Sequence, residues 1–502
     1  MSTGTAGGLA DHDLEHARDG GLHHLDAVSA LAAFTSLELS PVELLRAVVE
    51  RADAVNGDRV TGINAFTETL FDEALEQSRA AADLYLKCAS TGETPPALLG
   101  IPIATKEKHG IAGRRIEQGL HAHRGRVAGA DHPVVARIRD AGAIIHARTT
   151  SPEFSCATVT HSAMWGVTRN PWNRAASPGG SSGGAGAALA AGMTTLATAS
   201  DIAGSTRVPA GFTGTVGYKA PYGRIPGQAP LAADWYRGDG PMGRTVADTE
   251  LLAHVLSGRH AADHSSWGPT ASRPTATPLI ERLDALAGKR IGISLTLGDY
   301  PVAPEVKANT LKVASALESA GAVLVDVALP WTTSRIATII FTHFGHILGP
   351  AMERETAGTE EQLAPYTRQF MADARAAAEQ RSLVESLELD AALQAELAVA
   401  MEGVDVLICP TSAVTSLEAS GQYLDGIEVE GRRLGHYWEA HLTSPFNVAN
   451  RCPVLAVPSG LAANGVPTGV QIVGHPFDED AVFAVGAAVE ALLPRVPWPT
   501  LS

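Results

Sequence analysis

The sequence is poor in cysteine, in aromatic residues and in long apolar stretches. Its 502 residues include four cysteines, and aromatic side chains account for 5%. No two cysteines are spaced as CxxC, which argues against a zinc knuckle or a thioredoxin-like site, and four scattered thiols fit a reducing compartment better than a disulfide framework. The longest apolar stretch, Ile336–Met352, contains two histidines and is too short to span a membrane. It therefore predicts a buried helix.

Basic residues are also scarce. Lys and Arg total 38 against 54 for Asp and Glu, which gives a formal charge of −16. A nucleic acid or an anionic membrane would require a basic face, so neither is expected as a partner. The N-terminal 20 residues are polar and lack the apolar segment of a secretory signal. We expect a cytoplasmic protein that binds a small molecule.

Apolar residues, by contrast, are abundant at 45% and occur in short runs between helical patterns. Ser40-Pro41-Val42-Glu43 has the form of a helix start, with Ser as N-cap, Pro at the first position and Glu at the third. This alternation predicts an α/β fold. Further helices are expected at Phe71–Lys87, 132–141 and across 334–402, and buried strands at 98–104, 142–147, 194–199, 290–295, 404–409 and 454–457.

The densest chemical signal is the Gly/Ser segment Ser177–Gly184. Taken alone it resembles a flexible linker, but it leads into an Ala-rich run and a buried strand. A phosphate loop would need a Lys after the glycines. Ser181 and Ser182 both match the G-x-S-x-G pattern of a nucleophile elbow. That motif follows an apolar strand, whereas Asn170-Pro171-Trp172 precedes this segment and cannot form a central strand.

Two other segments form a set of motifs together with Ser177–Gly184. Upstream lies Gly100-Ile101-Pro102-Ile103-Ala104-Thr105-Lys106, and downstream lies Asp201-Ile202-Ala203-Gly204-Ser205-Thr206-Arg207, which places Ser205 24 residues after Ser181. Together these motifs resemble the amidase signature family, and the resemblance extends from about residue 25 to 490. The further matching segments are 166–173, 217–219, 240–242, 444–447, 457–460 and 465–471.

The resemblance implies a catalytic set of Ser205, Ser181 and Lys106, with a cis peptide before Ser181. Ser205 would be the nucleophile, and Lys106 would take its proton through Ser181. Lysine acts as a base only when it is neutral, so Lys106 is expected to be buried. The implied oxyanion hole is Ile202, Ala203, Gly204 and Ser205. No metal or organic cofactor is implied.

Other positions are assigned supporting roles. Ser182 is expected to orient the catalytic hydroxyls by hydrogen bonding. Asp201 and Arg207 flank the catalytic loop, and a structural ion pair explains them better than a direct role. The residues expected at the substrate are Gly179, Gly180, Met164, Trp165 and Phe341, the last because Ile336–His346 is a candidate pocket-lining helix.

The implied architecture is one domain, 1–502, with a large central mixed sheet flanked by helices on both faces. We divide it into N-terminal helices (25–90), a catalytic core (98–260), a helical insertion with the substrate pocket (290–445) and a C-terminal return to the core (446–490). The Ser/Pro/Thr-rich segment 263–278 predicts a surface connection. Homodimers are common in the family, so a homodimer is a further expectation.

The chain departs from the family pattern at several positions beside the motifs. Ala203 replaces a glycine, Thr206 replaces Ile or Val, and Glu107 stands where Asp is usual. Lys108 replaces a smaller polar residue, and 450–453 departs from a Gly-x-Pro turn. The three catalytic positions are unchanged, so these departures bear on the shape of the substrate.

Two alternative sites were weighed against this set. His121-Ala122-His123 has the spacing of a metal-binding H-x-H, but it lies in an expected surface loop with no completing carboxylate–His set. Cys156 as nucleophile would need His and Asn or Asp partners. The favoured function is hydrolysis of an amide, an anilide, a carbamate (urethane) or an ester. The alternatives are a transamidation subunit that passes ammonia to a partner and a non-catalytic binding protein.

Overall fold

The computed structural model describes residues 21–268 and 286–501, and its helices and strands follow the alternation expected from the sequence. The helices are α1 (Ala27–Thr35), α2 (Pro41–Val55), α3 (Phe71–Thr91), α4 (Pro133–Asp140), α5 (Gly183–Ala190), α6 (Arg207–Thr213), α7 (Val246–Leu256), α8 (Pro304–Ser319), α9 (Thr333–His346), α10 (Leu348–Thr356), α11 (Pro365–Gln380), α12 (Leu383–Ala400), α13 (Pro445–Val448) and α14 (Glu479–Leu492). The strands are β1 (Phe66–Thr69), β2 (Pro102–Lys106), β3 (Ile144–Thr149), β4 (His161–Ser162), β5 (Gly166–Val167), β6 (Leu196–Asp201), β7 (Val216–Lys219), β8 (Gly238–Gly243), β9 (Arg290–Ile293), β10 (Val323–Asp326), β11 (Val406–Pro410), β12 (Ile427–Val429), β13 (Arg432–Leu434), β14 (Val454–Leu461) and β15 (Pro467–Gly474).

Eleven strands form one mixed sheet, in the order β1-β3-β2-β6-β8-β7-β14-β15-β11-β9-β10. Strand β2 is parallel to both β3 and β6, and the strands from β6 across to β11 pair antiparallel. The predicted mixed α/β fold is confirmed. Segment 290–445 is more than a helical insertion, because β9, β10 and β11 form the far edge of the sheet.

The sheet carries a hydrophobic core on each face, as the period-two alternation of strand side chains requires. In β11, Val406 and Ile408 join the core that includes α1, α7 and α14. Their neighbours Leu407 and Cys409 join the opposite core, which includes α9, α11 and α12. Strand β11 is buried on both sides and is a short apolar run, which is why the sequence marks it clearly. The central strands β6 and β8 are also buried but include Thr198, Ser200 and Asp239.

Some of the elements predicted from the sequence form as expected, and others have different bounds. The capping box of α2 forms as expected, with the Ser40 hydroxyl accepting from Val42 N–H and Glu43 accepting from Ser40 N–H. The expected buried helix Ile336–Met352 is instead two helices, because the backbone leaves the helical conformation at Ile347, between α9 and α10. Strand β2 begins at Pro102, four residues later than expected. The expected surface connection 263–278 lies within the described residues only up to 268.

No helix in the described part of the chain combines the length and the hydropathy needed to cross a bilayer.

Candidate functional site

The candidate site lies where β2 and β6 end. These strands are neighbours and parallel, so their carboxyl ends meet at one edge of the sheet. Lys106 is the last residue of β2, and Asp201 is the last residue of β6. The loop that follows Asp201 carries Ser205. Two motifs about a hundred residues apart are therefore brought together by strand pairing.

The Lys106 amine contacts three serine hydroxyls in a fully buried position. Its Nζ lies 2.7 Å from Ser181 Oγ, 3.0 Å from Ser182 Oγ and 3.0 Å from Ser200 Oγ. Lys106 has 0% exposure. A neutral amine has two hydrogens to donate and one lone pair to accept with, so it matches three hydroxyl partners.

The environment of Lys106 favours this neutral form. Burial lowers the pKa of Lys106 well below its ordinary value, and the nearby Lys108 ammonium lowers it further. The carboxylates of Asp239 and Asp201 act in the opposite direction without overcoming burial. Lys106 is buried, as expected, and serine hydroxyls surround its amine.

The Gly/Ser segment is a buried part of the core. The peptide bond between Gly180 and Ser181 is cis, as the resemblance implied. A Cβ at Gly180 would stand 2.7 Å from the carbonyl oxygens of Ala157 and Val159, so only glycine fits. The segment runs directly into α5, every residue of which is buried. The interpretation of this segment as a flexible linker is thereby excluded.

Ser205 lies in a tight loop between β6 and α6, and it remains 6% exposed while Ser181 and Lys106 are fully buried. Its carbonyl accepts from Ser182 N–H at 3.1 Å, which ties the two serine segments together. Gly204 adopts φ 120°, and a Cβ there would collide with the Thr443 side chain. The loop conformation therefore requires glycine at position 204.

One predicted oxyanion donor is corrected by this geometry. The Gly204 N–H donates to Asp201 Oδ1 at 2.7 Å and so is not available to a substrate. No hydrogen bond within the described structure engages the N–H groups of Ile202, Ala203 or Ser205. The Ala203 carbonyl accepts from Thr443 Oγ1 at 2.7 Å, which holds this stretch of backbone in place.

Asp201 and Arg207 form the buried ion pair expected from the sequence. Arg207 Nε and Nη2 donate to the two Asp201 oxygens at 3.0 and 2.9 Å. Burial alone would raise the pKa of Asp201, but the Arg207 guanidinium and the Asn447 amide outweigh it and hold the pKa far below its usual range. The remaining Arg207 hydrogens go to the Thr443 carbonyl and Gln471 Oε1 at 2.8 and 2.6 Å.

The residues expected at the substrate fall in different places. Phe341, on α9, lines a narrow apolar cavity that also includes Ser444, whose hydroxyl donates to the Ala203 carbonyl at 3.2 Å. Trp165 instead lines a separate polar cavity of about 200 Å³. The β4–β5 hairpin directs the Met164 and Trp165 backbone to the side chains of Arg59 and Asn64. Phe341 and Trp165 thus line different cavities, and a role in substrate binding for Met164, Trp165 and Phe341 stays a prediction.

Gly179 and Gly180 are buried backbone positions. The Gly179 carbonyl accepts from Thr160 Oγ1 at 2.8 Å, and its N–H donates to Ser177 Oγ at 3.2 Å. Their role in substrate binding stays a prediction. A separate cavity of about 490 Å³ is lined by residues such as Trp172, Arg244 and Trp498, and Lys106, Ser181 and Ser205 are not part of its wall.

Sequence reasoning missed several residues that contact Lys106 or its neighbours. Ser200 contacts the Lys106 amine, and Thr198 Oγ1 accepts from Lys106 N–H at 2.9 Å. Both lie in β6 just before Asp201, where a polar residue within a buried strand was the available signal. Asp239 lies within β8, whose other residues are small or apolar. A charged residue inside a buried strand was the signal that could have identified it.

The alternative sites receive no support. Cys156 is buried, and burial raises the pKa of its thiol far above the usual range, so it is not a thiolate nucleophile. His121–His123 forms a short 3₁₀ turn, and His123 is buried beside Glu355 rather than exposed as expected. Among the described residues, the group spaced closely enough to suit a metal ion is His109, His132 and Asp239. These side chains already pair with one another and with Lys108.

Comparison with known proteins places this geometry in context. The chain matches the family model described as Amidase over residues 43–483. It is 32% identical to the 6-aminohexanoate-cyclic-dimer hydrolase of Paenarthrobacter ureafaciens, with 94% of this chain and 95% of that protein covered. It is 31% identical to one subunit of the glutamyl-tRNA(Gln) amidotransferase of Rhodococcus erythropolis strain PR4, with 93% and 97% covered. A solved bacterial aryl acylamidase of the amidase signature family shares the fold, with a TM-score of 0.82 at 24% identity over 93% of this chain and 96% of that one.

Proposed function

This chain belongs to the amidase family of amide-hydrolysing enzymes, and we propose that it is a serine amidohydrolase with Ser205 as nucleophile, Ser181 as proton carrier and Lys106 as base. The observation that carries the proposal is the buried Lys106 amine, 2.7 Å from Ser181 Oγ. A buried lysine without a carboxylate within hydrogen-bonding distance is costly unless it is neutral, and a neutral lysine is a competent base.

In this mechanism the proton moves inward as the nucleophile attacks. Ser205 Oγ bonds to the carbonyl carbon and transfers its proton to Ser181 Oγ, whose own proton passes to Lys106 Nζ. The carbonyl becomes a tetrahedral oxyanion. The C–N bond then breaks, the proton returns through Ser181 to the leaving nitrogen, and acyl-Ser205 remains. Water attacks the acyl carbon by the same proton route, which releases a carboxylic acid and restores Ser205.

The oxyanion would be held by the free N–H groups of Ile202, Ala203 and Ser205. The Asp201–Arg207 pair and the Thr443 hydroxyl fix the loop before substrate arrives, so the donors do not have to reorganise during the reaction. Loss of one such donor typically costs about 10²–10³ in rate. The Ser182 and Ser200 hydroxyl oxygens would accept the two hydrogens of the neutral Lys106 amine, which leaves its lone pair for the Ser181 proton.

We further propose that the acyl or leaving group is apolar. The small cavity beside the loop that carries Ser205 has a volume of about 10 Å³, so a substrate group would have to widen it. Its wall is mainly Ile336, Ile340, Phe341 and Trp438, and its polar members are Tyr300, Thr333, Glu439 and Ser444. Such a wall suits an aliphatic or aryl substituent and offers little to a small polar side chain. This composition favours hydrolysis of an amide, anilide or carbamate over the release of ammonia from a polar amide by a transamidation subunit.

The test is hydrolysis of an aliphatic amide, an anilide, a carbamate and an ester, each carrying an apolar substituent. The wild type should turn over at least one of them, and Ser205→Ala should lose at least about 10³-fold in kcat/KM. Ser266→Ala removes another buried serine hydroxyl, bonded to the Asp263 carbonyl, and should leave turnover unchanged. Turnover that survives Ser205→Ala would refute the nucleophile.

A second measurement identifies the nucleophile without a substrate. A fluorophosphonate should label Ser205 in the wild type, as located by peptide mass spectrometry, and should leave Lys106→Met unlabelled over the same time. An unlabelled wild type without turnover would instead support a non-catalytic binding protein.

Phe341→Ala should raise KM for the apolar substrate about tenfold with a smaller effect on kcat.

A further inference from the structure

A second buried cluster of titratable side chains lies beside Lys106 in the sequence and the fold, and takes no part in the mechanism above. It consists of Lys108, His109, His132 and Asp239, here called the Asp239 cluster. Asp239 Oδ1 lies 2.9 Å from His109 Nε2 and 3.6 Å from Lys108 Nζ, and its Oδ2 lies 3.5 Å from His132 Nε2. The Asp239 side chain is 4% exposed and that of Lys108 is 14% exposed.

A chain of hydrogen bonds connects this cluster to the main chain of Lys106. The Lys106 N–H donates to Thr198 Oγ1 at 2.9 Å. Because that hydroxyl oxygen accepts there, its hydrogen is free to bond His109 Nδ1, which lies 2.9 Å away. His109 Nε2 then carries the ring proton and donates to Asp239 Oδ1. The main-chain N–H of His109 also donates to the Lys106 carbonyl at 2.8 Å, which closes the turn.

The cluster also supplies two of the four charged groups that act on the Lys106 amine, namely Lys108 and Asp239. Four groups on three segments face it: Lys108 from its own turn, Asp239 and Arg237 from β8 and the turn before it, and Asp201 from the end of β6. Charges separated by protein rather than water interact strongly, so the balance between these groups is felt at the amine.

We propose that the Asp239 cluster is a positioning device for the catalytic base: Asp239 holds the Lys106 main chain through His109 and Thr198, and the Lys108–Asp239 ion pair balances the charge beside the amine. The inference rests on the proposed function, in which Lys106 is the base. Asp239 and Lys108 are positioning residues, because they act through Lys106 and do not contact the reacting atoms.

The same side chains have partners among themselves that do not require a metal ion. His132 Nδ1 accepts from Val134 N–H at 3.2 Å, which leaves the ring proton on Nε2, facing Asp239. Lys108 already brings a positive charge to the carboxylate. A positioning role therefore explains every partner in the cluster.

The two members of the ion pair should move the titration of Lys106 in opposite directions. Asp239→Asn removes the negative charge that favours the ammonium form, so the pKa of Lys106 should fall by about one unit. Lys108→Met removes the opposing positive charge, so the pKa should rise by about one unit. In the double variant the two changes should largely cancel.

The titration can be followed directly, because the sequence has only seven lysines. The full chain is prepared with ¹³C at the lysine ε-carbons, and the Lys106 signal is identified by its loss in Lys106→Met. Asp234→Asn is the matched control, since it breaks another buried Asp–His pair, with His343, among groups that do not face Lys106. It should leave the Lys106 titration unchanged.

Opposite shifts with cancellation support the proposal, whereas shifts in one direction, no shift, or an equal shift in Asp234→Asn would overturn it. A stoichiometric metal ion that is lost from Asp239→Asn would also overturn it. If Asp239→Asn does not fold, the upward shift in Lys108→Met decides alone. The pH profile of fluorophosphonate labelling at Ser205 should follow the Lys106 titration. If Ser205 is not labelled at any pH, the proposed function fails, while the titration still decides this inference.

Discussion

Arg207 shows how completely single side chains are constrained around the catalytic loop. It is fully buried, and its guanidinium donates to Asp201, Asn447, Gln471 and the Thr443 carbonyl. All of these partners except Asp201 lie more than 230 residues away in sequence. The planar fork of an arginine serves several acceptors in fixed directions, which a lysine cannot reproduce. Through Asp201, which accepts from Gly204 and Thr206 N–H, this one residue shapes the loop that carries Ser205.

Replacing Arg207 with lysine should therefore lower both stability and activity. Arg207→Lys keeps the charge but loses the paired contact with both Asp201 oxygens and leaves Asn447 Oδ1 or Gln471 Oε1 without its arginine donor. Breaking such a buried network costs about 3–5 kcal/mol. Denaturant unfolding should show the loss in free energy of unfolding, and kcat should fall because the loop is no longer fixed. Arg375→Lys, at an exposed pair with Glu353, is the control and should change stability by less than about 0.5 kcal/mol. Equal effects of the two substitutions would contradict this account.

Among the elements, the packing of α9 against α11 sets the wall of the apolar cavity. Gly345 lies in the last turn of α9, one turn after Phe341. A Cβ at Gly345 would overlap the Ala374 carbonyl oxygen and approach the Ala378 Cβ at 2.7 Å, both on α11. The two helices pack this closely only because position 345 has no side chain.

Gly345→Ala should force α9 away from α11. We expect a loss of about 1–3 kcal/mol in the free energy of unfolding, as for overpacked cores, and a higher KM for apolar substrates because Phe341 moves with the helix. Gly129→Ala is the matched control, since a Cβ there meets nothing within 4 Å and φ is not positive. The measurements are denaturant midpoints and KM. Identical midpoints for Gly345→Ala and the wild type would disprove the close contact.

On the scale of the whole molecule, several buried histidines make the fold sensitive to acid. Burial lowers the pKa of His132, His146 and His441 to about 3. Between pH 6.5 and 3 the unfolded chain binds these protons and the folded chain does not, so stability falls as the pH falls. Glu490, whose pKa burial raises to about 7, acts in the opposite direction.

His146 isolates one such contribution. It lies within β3, its Nε2 faces Thr194 Oγ1 at 3.0 Å, and it contacts Phe66 and Phe71. Between about pH 7 and 5 a histidine that stays neutral in the fold should lower the free energy of unfolding by about 2 kcal/mol. His146→Gln should remove this part of the pH dependence while it leaves the contributions of the other groups in place. Urea unfolding across the same pH range measures it, and parallel slopes for variant and wild type would refute it.

The proposed site could be located from the sequence because it depends on residue type and local order. Lys106, Ser181 and Ser205 stand in three short motifs, each next to a buried strand or small-residue helix, and the apolar runs predicted that these strands would be buried. The capping box of α2 is determined in the same way, since every atom it needs lies within a single helical turn. Family resemblance then supplied the roles that the motifs alone left open.

Only the tertiary structure decided which distant side chains meet. Asp239 reaches Lys108 and His109 because β8 pairs with β6, and Thr443 reaches Ala203 because a loop 240 residues away closes over it. The Gly204 N–H is occupied, and Trp165 faces a different cavity, because backbone direction at each point determines what a side chain or amide can contact. Residue identity specifies what a group can do. Strand order and register, which arise from the burial of the whole chain, determine which groups it meets.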